Sequence, residues 1–207
     1  MSYKKIVFHD LGMQDYRKIY KRMVDFTRSR DRFTTDEIWM VEHLPVFTLG
    51  KSSTRKDLKD IARTDIPIVQ SDRGGKITYH GPGQQIVYVL LNLGRRSTTA
   101  RNLVDVLEKI VIGSLKEIGI SSHNDEKYRG VYTDDGQKIC SLGLKISRGC
   151  SLHGLSINVN MDLSPFTYIS PCGLSNVRMT QVSNFVPDVQ MQSVKSLLLK
   201  HFYLLSK

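Results

Sequence analysis

The spacing of apolar residues changes period several times along the chain, and each change marks an element. Lys5–His9 reads as a short strand; Tyr16, Ile19, Tyr20, Met23 and Phe26 then recur at intervals of three and four, as on a helix with one buried face. Glu37–His43 and Val46–Leu49 are rich in β-branched and aromatic residues, and Pro45 would break a ladder between them, so two strand pieces are predicted. Ile66–Val69 and Lys76–Tyr79 are short strands flanking Asp72-Arg73-Gly74-Gly75, after a charged loop around Lys51–Arg63. Gln85–Leu93 is a near-continuous apolar run, which suits a strand buried on both faces at the centre of a sheet.

The second half opens with a helix whose face is Leu103, Val106, Leu107, Ile110, Val111, Leu115 and Ile118. Ser97, Thr98 and Thr99 are available to cap it, and Gly119 stops it. Val131–Thr133, Lys138–Ile146 and Leu152–Val159 follow as extended segments joined by turns at Asp134-Asp135-Gly136 and Arg148-Gly149, the pattern of an antiparallel meander. Asp188 is placed to cap a last helix that buries Val194, Leu197, Leu198, His201 and Phe202 and leaves Lys195 and Lys200 wet. Strands with few intervening helices predict an α+β fold: a mixed, largely antiparallel sheet covered by helices, in one domain spanning 1–207.

Composition narrows the classes of function. The chain is 40% hydrophobic and 24% charged, as a globular protein is, and its longest apolar runs fall far short of the roughly 20 residues of a membrane span. The apolar stretch near the N-terminus, Ile6-Val7-Phe8, is too short for a secretory signal, so a cytoplasmic protein is expected. Cys140, Cys150 and Cys172 form no CxxC pair, which argues against a zinc ribbon or a disulfide framework and for reduced thiols. The six histidines lack ligand spacing, so no metal is expected. Thirty basic against 20 acidic residues, a formal +10, imply attraction to a polyanion, whether nucleic acid, an anionic membrane surface or an acidic protein. The basic residues are dispersed and aromatics make up only 8%, which ranks an acidic protein ahead of nucleic acid.

Chemistry concentrates in three places. Asp72–Gln84 packs four glycines, two cations, a His and a Tyr into thirteen positions. Glycine lets a backbone approach a ligand closely and present its N–H groups; the plain alternative is a sharp-turned surface loop. Neither a phosphate loop closed by Gly-Lys-Ser/Thr nor a GxGxxG turn is present. Lys138 enters an extended segment with apolar neighbours; desolvated, it could serve as a base, and at a sheet edge it would simply snorkel to water. Cys172 sits in Pro171-Cys172-Gly173, a turn that can display a thiol, although a lone cysteine is more often packed. Strand alternation puts Cys140 on the face of Lys138, as a rival thiol. His80 and His153, taken alone, read as satisfied polar residues.

In order, Arg73–Gln84, Lys138–Gly143, His153-Gly154-Leu155 and Pro171-Cys172-Gly173 closely resemble the lipoyl (octanoyl) transferase family, over about Glu42 to Cys172. The resemblance implies a fold like that of lipoate and biotin protein ligases, a class II synthetase-like domain. It implies transfer of octanoyl from octanoyl-acyl carrier protein to a lysine of lipoyl domains, those of 2-oxoacid dehydrogenase complexes and the glycine cleavage H protein, as the first step of lipoylation. By position, the family's acyl-carrying Cys falls on Cys172 and its activating Lys on Lys138. The acyl pocket falls on Arg73, Gly74, Gly75, Lys76, Ile77, Thr78, Tyr79 and His80, on Ser141, Leu142 and Gly143, and on His153, Gly154, Leu155 and Ser156. The chain departs from the family at Cys140, where a small residue such as alanine is usual, and at Tyr132, often Trp.

A Cys172 thiol of ordinary pKa needs a neighbouring base or cation to become a thiolate, and Lys138 could be either. Backbone N–H groups near Leu142 and Gly143 would form the oxyanion hole. Because a thioester supplies the energy, the expectation is a monomeric enzyme with no cofactor, acting on acyl carrier protein and lipoyl domains, and on neither nucleic acid nor membrane. The alternatives are an ATP-dependent lipoate or octanoate ligase on the same fold and, more remotely, a nucleic-acid-binding module.

Overall fold

The computed structural model of the chain describes residues 5–54, 57, 59, 65–170 and 177–205. Its larger sheet has seven strands: β1 (Ile6–Gln14), β2 (Asp36–His43), β6 (Gln84–Leu90), β7 (Ser122–Asn124), β8 (Gly130–Thr133), β9 (Lys138–Ser147) and β10 (Cys150–Asn158). They are ordered β1-β2-β6-β10-β9-β8-β7, with β1 parallel to β2 and every other pair antiparallel. A smaller sheet sets β3 (Val46–Leu49) between β4 (Ile68–Gln70) and β5 (Thr78–His80). The pieces on either side of Pro45 therefore lie in different sheets. This is the mixed, mostly antiparallel α+β architecture expected, and β8 to β10 are the expected meander, to which β7 adds a short edge strand that was not expected.

β6 is buried at every position, its two glutamines Gln84 and Gln85 included, and lies between β2 and β10, as its near-continuous apolar run predicts. One face of the large sheet carries Ile38, Met40, Val87, Val89, Leu155 and Ile157, and packs on α2 (Ala100–Glu117) and α3 (Met191–Leu205). The other face carries Trp39, Val41, Ile86 and Tyr88, and packs on α1 (Tyr16–Ser29) through Ile19 and Met23. Each fully buried side chain such as Leu107 or Ile110 contributes about 1.5–3 kcal/mol. A third apolar cluster, Phe47, Ile77, Tyr79, Met161, Phe166 and Ile169, fills the space behind the small sheet.

Local signals set most boundaries. Thr99 caps α2 by accepting the Asn102 N–H at 3.1 Å, worth about 1 kcal/mol, and Gly119 follows the helix at φ +79. Arg148 and Gly149, both at positive φ, make the tight turn between β9 and β10. Three expectations need correction. β1 runs on to Gln14, through an irregularity between Asp10 and Met13 where Gly12 takes φ +60. α3 begins at Met191, beyond Asp188, which therefore does not cap it. Lys195 is buried, not wet: its Nζ lies 3.1 Å from both carboxylate oxygens of Asp10. Among the described residues, no helix is long and apolar enough to cross a membrane.

Candidate functional site

The site begins as missing side-chain volume. On β9 and β10 the cross-strand pairs are Ser141 with Ser156 and Gly143 with Gly154, so four small residues stand on one face where Ile86 and Tyr88 project from neighbouring β6. The space they leave is a cavity of about 600 Å³, within the range that holds small molecules. Its roof is the glycine-rich loop. The Gly74 N–H donates to the Leu144 carbonyl at 2.9 Å, which docks the loop on β9, and Gly75 takes φ +80. Arg73 is buried and clamps the loop to β3: its Nη2 donates to Thr48 O at 2.6 Å and Thr48 Oγ1 at 2.8 Å. Lys76 ties the loop to Asp57 at 2.9 Å. Arg73 and Lys76, read from sequence as ligand contacts, thus also hold the roof in place.

Lys138 lies at the cavity wall with only 1% of its surface exposed. A bulge opposite β8 brings it there: Val131 pairs with Cys140, the next residue Tyr132 pairs with Lys138, and Ile139 is the extra residue. Its Nζ donates to the Arg129 carbonyl at 2.9 Å and stands 5.0 Å from the Tyr132 ring centroid. The snorkelling alternative is thereby excluded. Gly130, at φ +146, makes the room: a Cβ there would come within 2.5 Å of Lys138 Cε and 2.9 Å of Nζ.

Cys172 lies outside the described residues, but the described chain before and after it is anchored. The Ser170 N–H donates to Asp57 O at 2.8 Å. The Lys138 N–H donates to Arg178 O at 2.8 Å, and the Thr180 N–H to Lys138 O at 2.9 Å. Cys140, the rival thiol, is fully buried, and burial pushes its thiol up despite nearby Lys138. A weakly acidic, inaccessible thiol is a poor nucleophile.

A polar aromatic cluster lines one side of the cavity beneath α1. Tyr16 stacks on His80 with centroids 6.1 Å apart, and His43 Nε2 lies 2.7 Å from Tyr88 Oη. Burial holds His80 down to about 3, with His43 adding to it, and holds His43 down to about 4, so both are neutral imidazoles near pH 7. His80 Nδ1 meets Gln84 Oε1 at 2.7 Å, which makes that nitrogen the donor. His153, at the strained φ of +62, meets Asp72 through Nε2 at 2.6 Å; Lys145 meets the other Asp72 oxygen at 2.5 Å. Burial alone would raise the Asp72 carboxyl, yet these two partners outweigh it and hold it well below the usual range. Among the described residues, no three of His, Cys, Asp and Glu gather as a metal would need.

Every other described residue expected at the site lines this cavity, except Tyr79. β5 alternates, so Thr78 and His80 face the cavity while the Tyr79 ring packs on Phe47 and Phe166. The oxyanion expectation also narrows. Leu144 turns its carbonyl away from β10 to meet Gly74, so strand alternation puts the Leu142 amide on that same outer edge and the Gly143 amide towards β10. Sequence reading missed Tyr16 and Tyr88, taken for core, and Val104, Tyr128 and Ile146, which line the opening. It also missed Gly130, and Glu108, a fully buried carboxylate on α2 whose Oε1 accepts the Gly130 N–H at 3.0 Å. The signal for Glu108 was a carboxylate inside the apolar stripe of a helix.

Residues 15–203 match the family described as lipoyl protein ligase A/B catalytic domain. An octanoyltransferase of Haemophilus influenzae (strain PittEE) is 49% identical over 200 residues, covering 95% of this chain and 93% of the relative. Among solved structures, a bi-partite lipoate protein ligase from Thermoplasma acidophilum superposes with a TM-score of 0.75 at 17% identity, covering 96% of this chain and 82% of that one. The biotin protein ligase of Aquifex aeolicus, in complex with biotin and ATP, gives 0.59 at 16% identity, covering 96% and 68%. The fold is thus shared with lipoate and biotin ligases, and the chain belongs to the lipoyl protein ligase A/B catalytic domain family, within its octanoyltransferase branch.

Proposed function

We propose that this chain moves an octanoyl group from acyl carrier protein to a lysine of a lipoyl domain through a thioester on Cys172. The observation that carries the reading is the buried Lys138 amine at the wall of a cavity sized for an acyl chain. The octanoyltransferase relatives support the acyl group and the role in lipoylation. Exposed Arg101 and Lys127 at the cavity opening, with the net charge of +10, suit an acidic carrier.

In the first half-reaction the Cys172 thiolate attacks the thioester carbonyl, and the oxyanion that forms takes a hydrogen bond from the Leu142 amide. Collapse breaks the bond to the carrier's pantetheine sulfur, which leaves with the proton taken from Cys172. In the second, the lysine amine of the acceptor attacks the acyl-enzyme, the C–N bond forms, and the Cys172 thiol is regenerated. Lys138 holds the transferred proton in each half. No cofactor enters, because the thioester supplies the free energy of the amide.

Incubation with octanoyl-acyl carrier protein should add one octanoyl mass to the wild type and to Cys140→Ala, and none to Cys172→Ala. An adduct that persists in Cys172→Ala would overturn the nucleophile. Octanoylation of the acceptor that needs ATP and no acyl carrier protein would establish the ligase alternative.

A further inference from the structure

One carboxylate near Lys138 has no part in the scheme above. Glu108 lies on the buried face of α2 and is 0% exposed, although burying a carboxylate is costly unless it is fully hydrogen-bonded. It is so bonded. Its Oε1 accepts the Gly130 N–H at 3.0 Å, and its Oε2 accepts Asn124 Nδ2 at 3.0 Å and Arg129 Nη1 at 3.0 Å. An ion pair alone does not explain this placement, since Arg129 Nη1 also meets the half-buried Asp105 at 2.7 Å, nearer to solvent.

The Gly130 N–H and the Arg129 C=O belong to one planar peptide group. Glu108 therefore grips one end of the unit whose other end receives Lys138 Nζ at 2.9 Å. Gly130 at φ +146 is what lets this peptide lie flat against the lysine stem. We infer that Glu108 is a positioning residue: by fixing the Arg129–Gly130 peptide it fixes the point from which the Lys138 amine meets the reacting thiol. The inference rests on the reading of Lys138 as the group that activates Cys172. Misplacement of such a group by about 1 Å can cost 100-fold in rate without weakening substrate binding.

The test is steady-state transfer from octanoyl-acyl carrier protein to a lipoyl domain by full-length wild type, Glu108→Gln, Glu108→Asp, Lys138→Ala and the Glu108→Asp/Lys138→Ala double variant, with a thermal melt for each. Gln keeps an acceptor for Gly130 but presents an amide to the Arg129 and Asn124 donors; Asp keeps the charge but withdraws it by one methylene. The expected result is a kcat lowered 10- to 100-fold in both single Glu108 variants, KM for the carrier within twofold of wild type, and a double variant no slower than Lys138→Ala. A folded Glu108→Gln or Glu108→Asp with wild-type kcat, beside an impaired Lys138→Ala, overturns the inference alone. An unimpaired Lys138→Ala overturns the reading beneath it. Should Glu108→Gln fail to fold, Glu108→Asp decides by the same criterion. Loss confined to KM in the folded variants also refutes positioning.

Discussion

Gly143 and Gly154 stand opposite each other on neighbouring strands, and both line the cavity. The two are not equivalent. A Cβ on Gly154 would collide with the backbone oxygen of Val87 at 1.9 Å, whereas one on Gly143 would approach Gly74 O at 3.0 Å, a contact that a local adjustment of a few tenths of an ångström relieves. Gly154→Ala should therefore destabilise the fold by about 3 kcal/mol. Gly143→Ala should fold nearly as well as wild type but raise KM for the acyl donor about tenfold, equivalent to about 1.4 kcal/mol. Thermal melts and steady-state kinetics separate the two; equal melting temperatures would contradict the geometry.

Gly130 makes room for Lys138, so Gly130→Ala tests the lysine's placement without touching its charge. The positive φ and the contact with Lys138 Cε together should cost about 1–3 kcal/mol of stability. Acyl-enzyme formation, followed by intact-mass spectrometry, should slow at least tenfold. Wild-type acylation in this variant would mean that the lysine position is unimportant.

Removal of the amine itself is the stronger test. Lys138→Ala should slow acylation of Cys172 by roughly 100- to 10,000-fold, the range for loss of a positioned proton-transfer group. Single-turnover mixing with octanoyl-acyl carrier protein measures this directly, and an unchanged rate would leave Lys138 a structural role.

Thiol titration of the native protein should resolve Cys172 from the others. Cys140 and Cys150 are 0% and 4% exposed, and burial pushes the Cys140 thiol up, so both should react with an aromatic disulfide only as the protein unfolds. Any fast phase should vanish in Cys172→Ala and survive in Cys140→Ala. A fast phase that survives in Cys172→Ala would refute the burial argument.

Acid should weaken the fold before its carboxylates protonate. His80 is held down to about 3 and His43 to about 4, both by burial, against roughly 6.5 in the unfolded chain. Between those values the unfolded state binds more protons, so stability is fully present above about pH 6.5 and falls as the pH drops towards 4. At pH 5 the loss should be about 2 kcal/mol for each histidine. Urea unfolding at pH 7 and pH 5 should show this, and His80→Asn should lose about 2 kcal/mol less over the interval. Equal losses would mean that His80 is charged or exposed in the folded protein.

The amino-acid sequence by itself determined the class of fold and the family. The apolar run of β6, the capped stripe of α2 and the turn at Arg148-Gly149 are local signals, each set by a residue's own backbone preference or by short-range periodicity. The ordered motifs from Arg73 to Ser156 likewise marked more than half of the residues that line the described cavity. What only the tertiary structure decided depends on residues distant in the chain. The bulge at Ile139 buries Lys138 beside Arg129, a strand pairing that no window around Lys138 contains. Tyr79 turns away from the cavity because β5 alternates against Phe47 on β3. Glu108 reaches the same peptide as Lys138 because α2 packs beside β8 and β9. Burial and long-range hydrogen bonding, which decide whether a lysine is a solvated charge or a catalytic amine, are properties of packing and not of spacing.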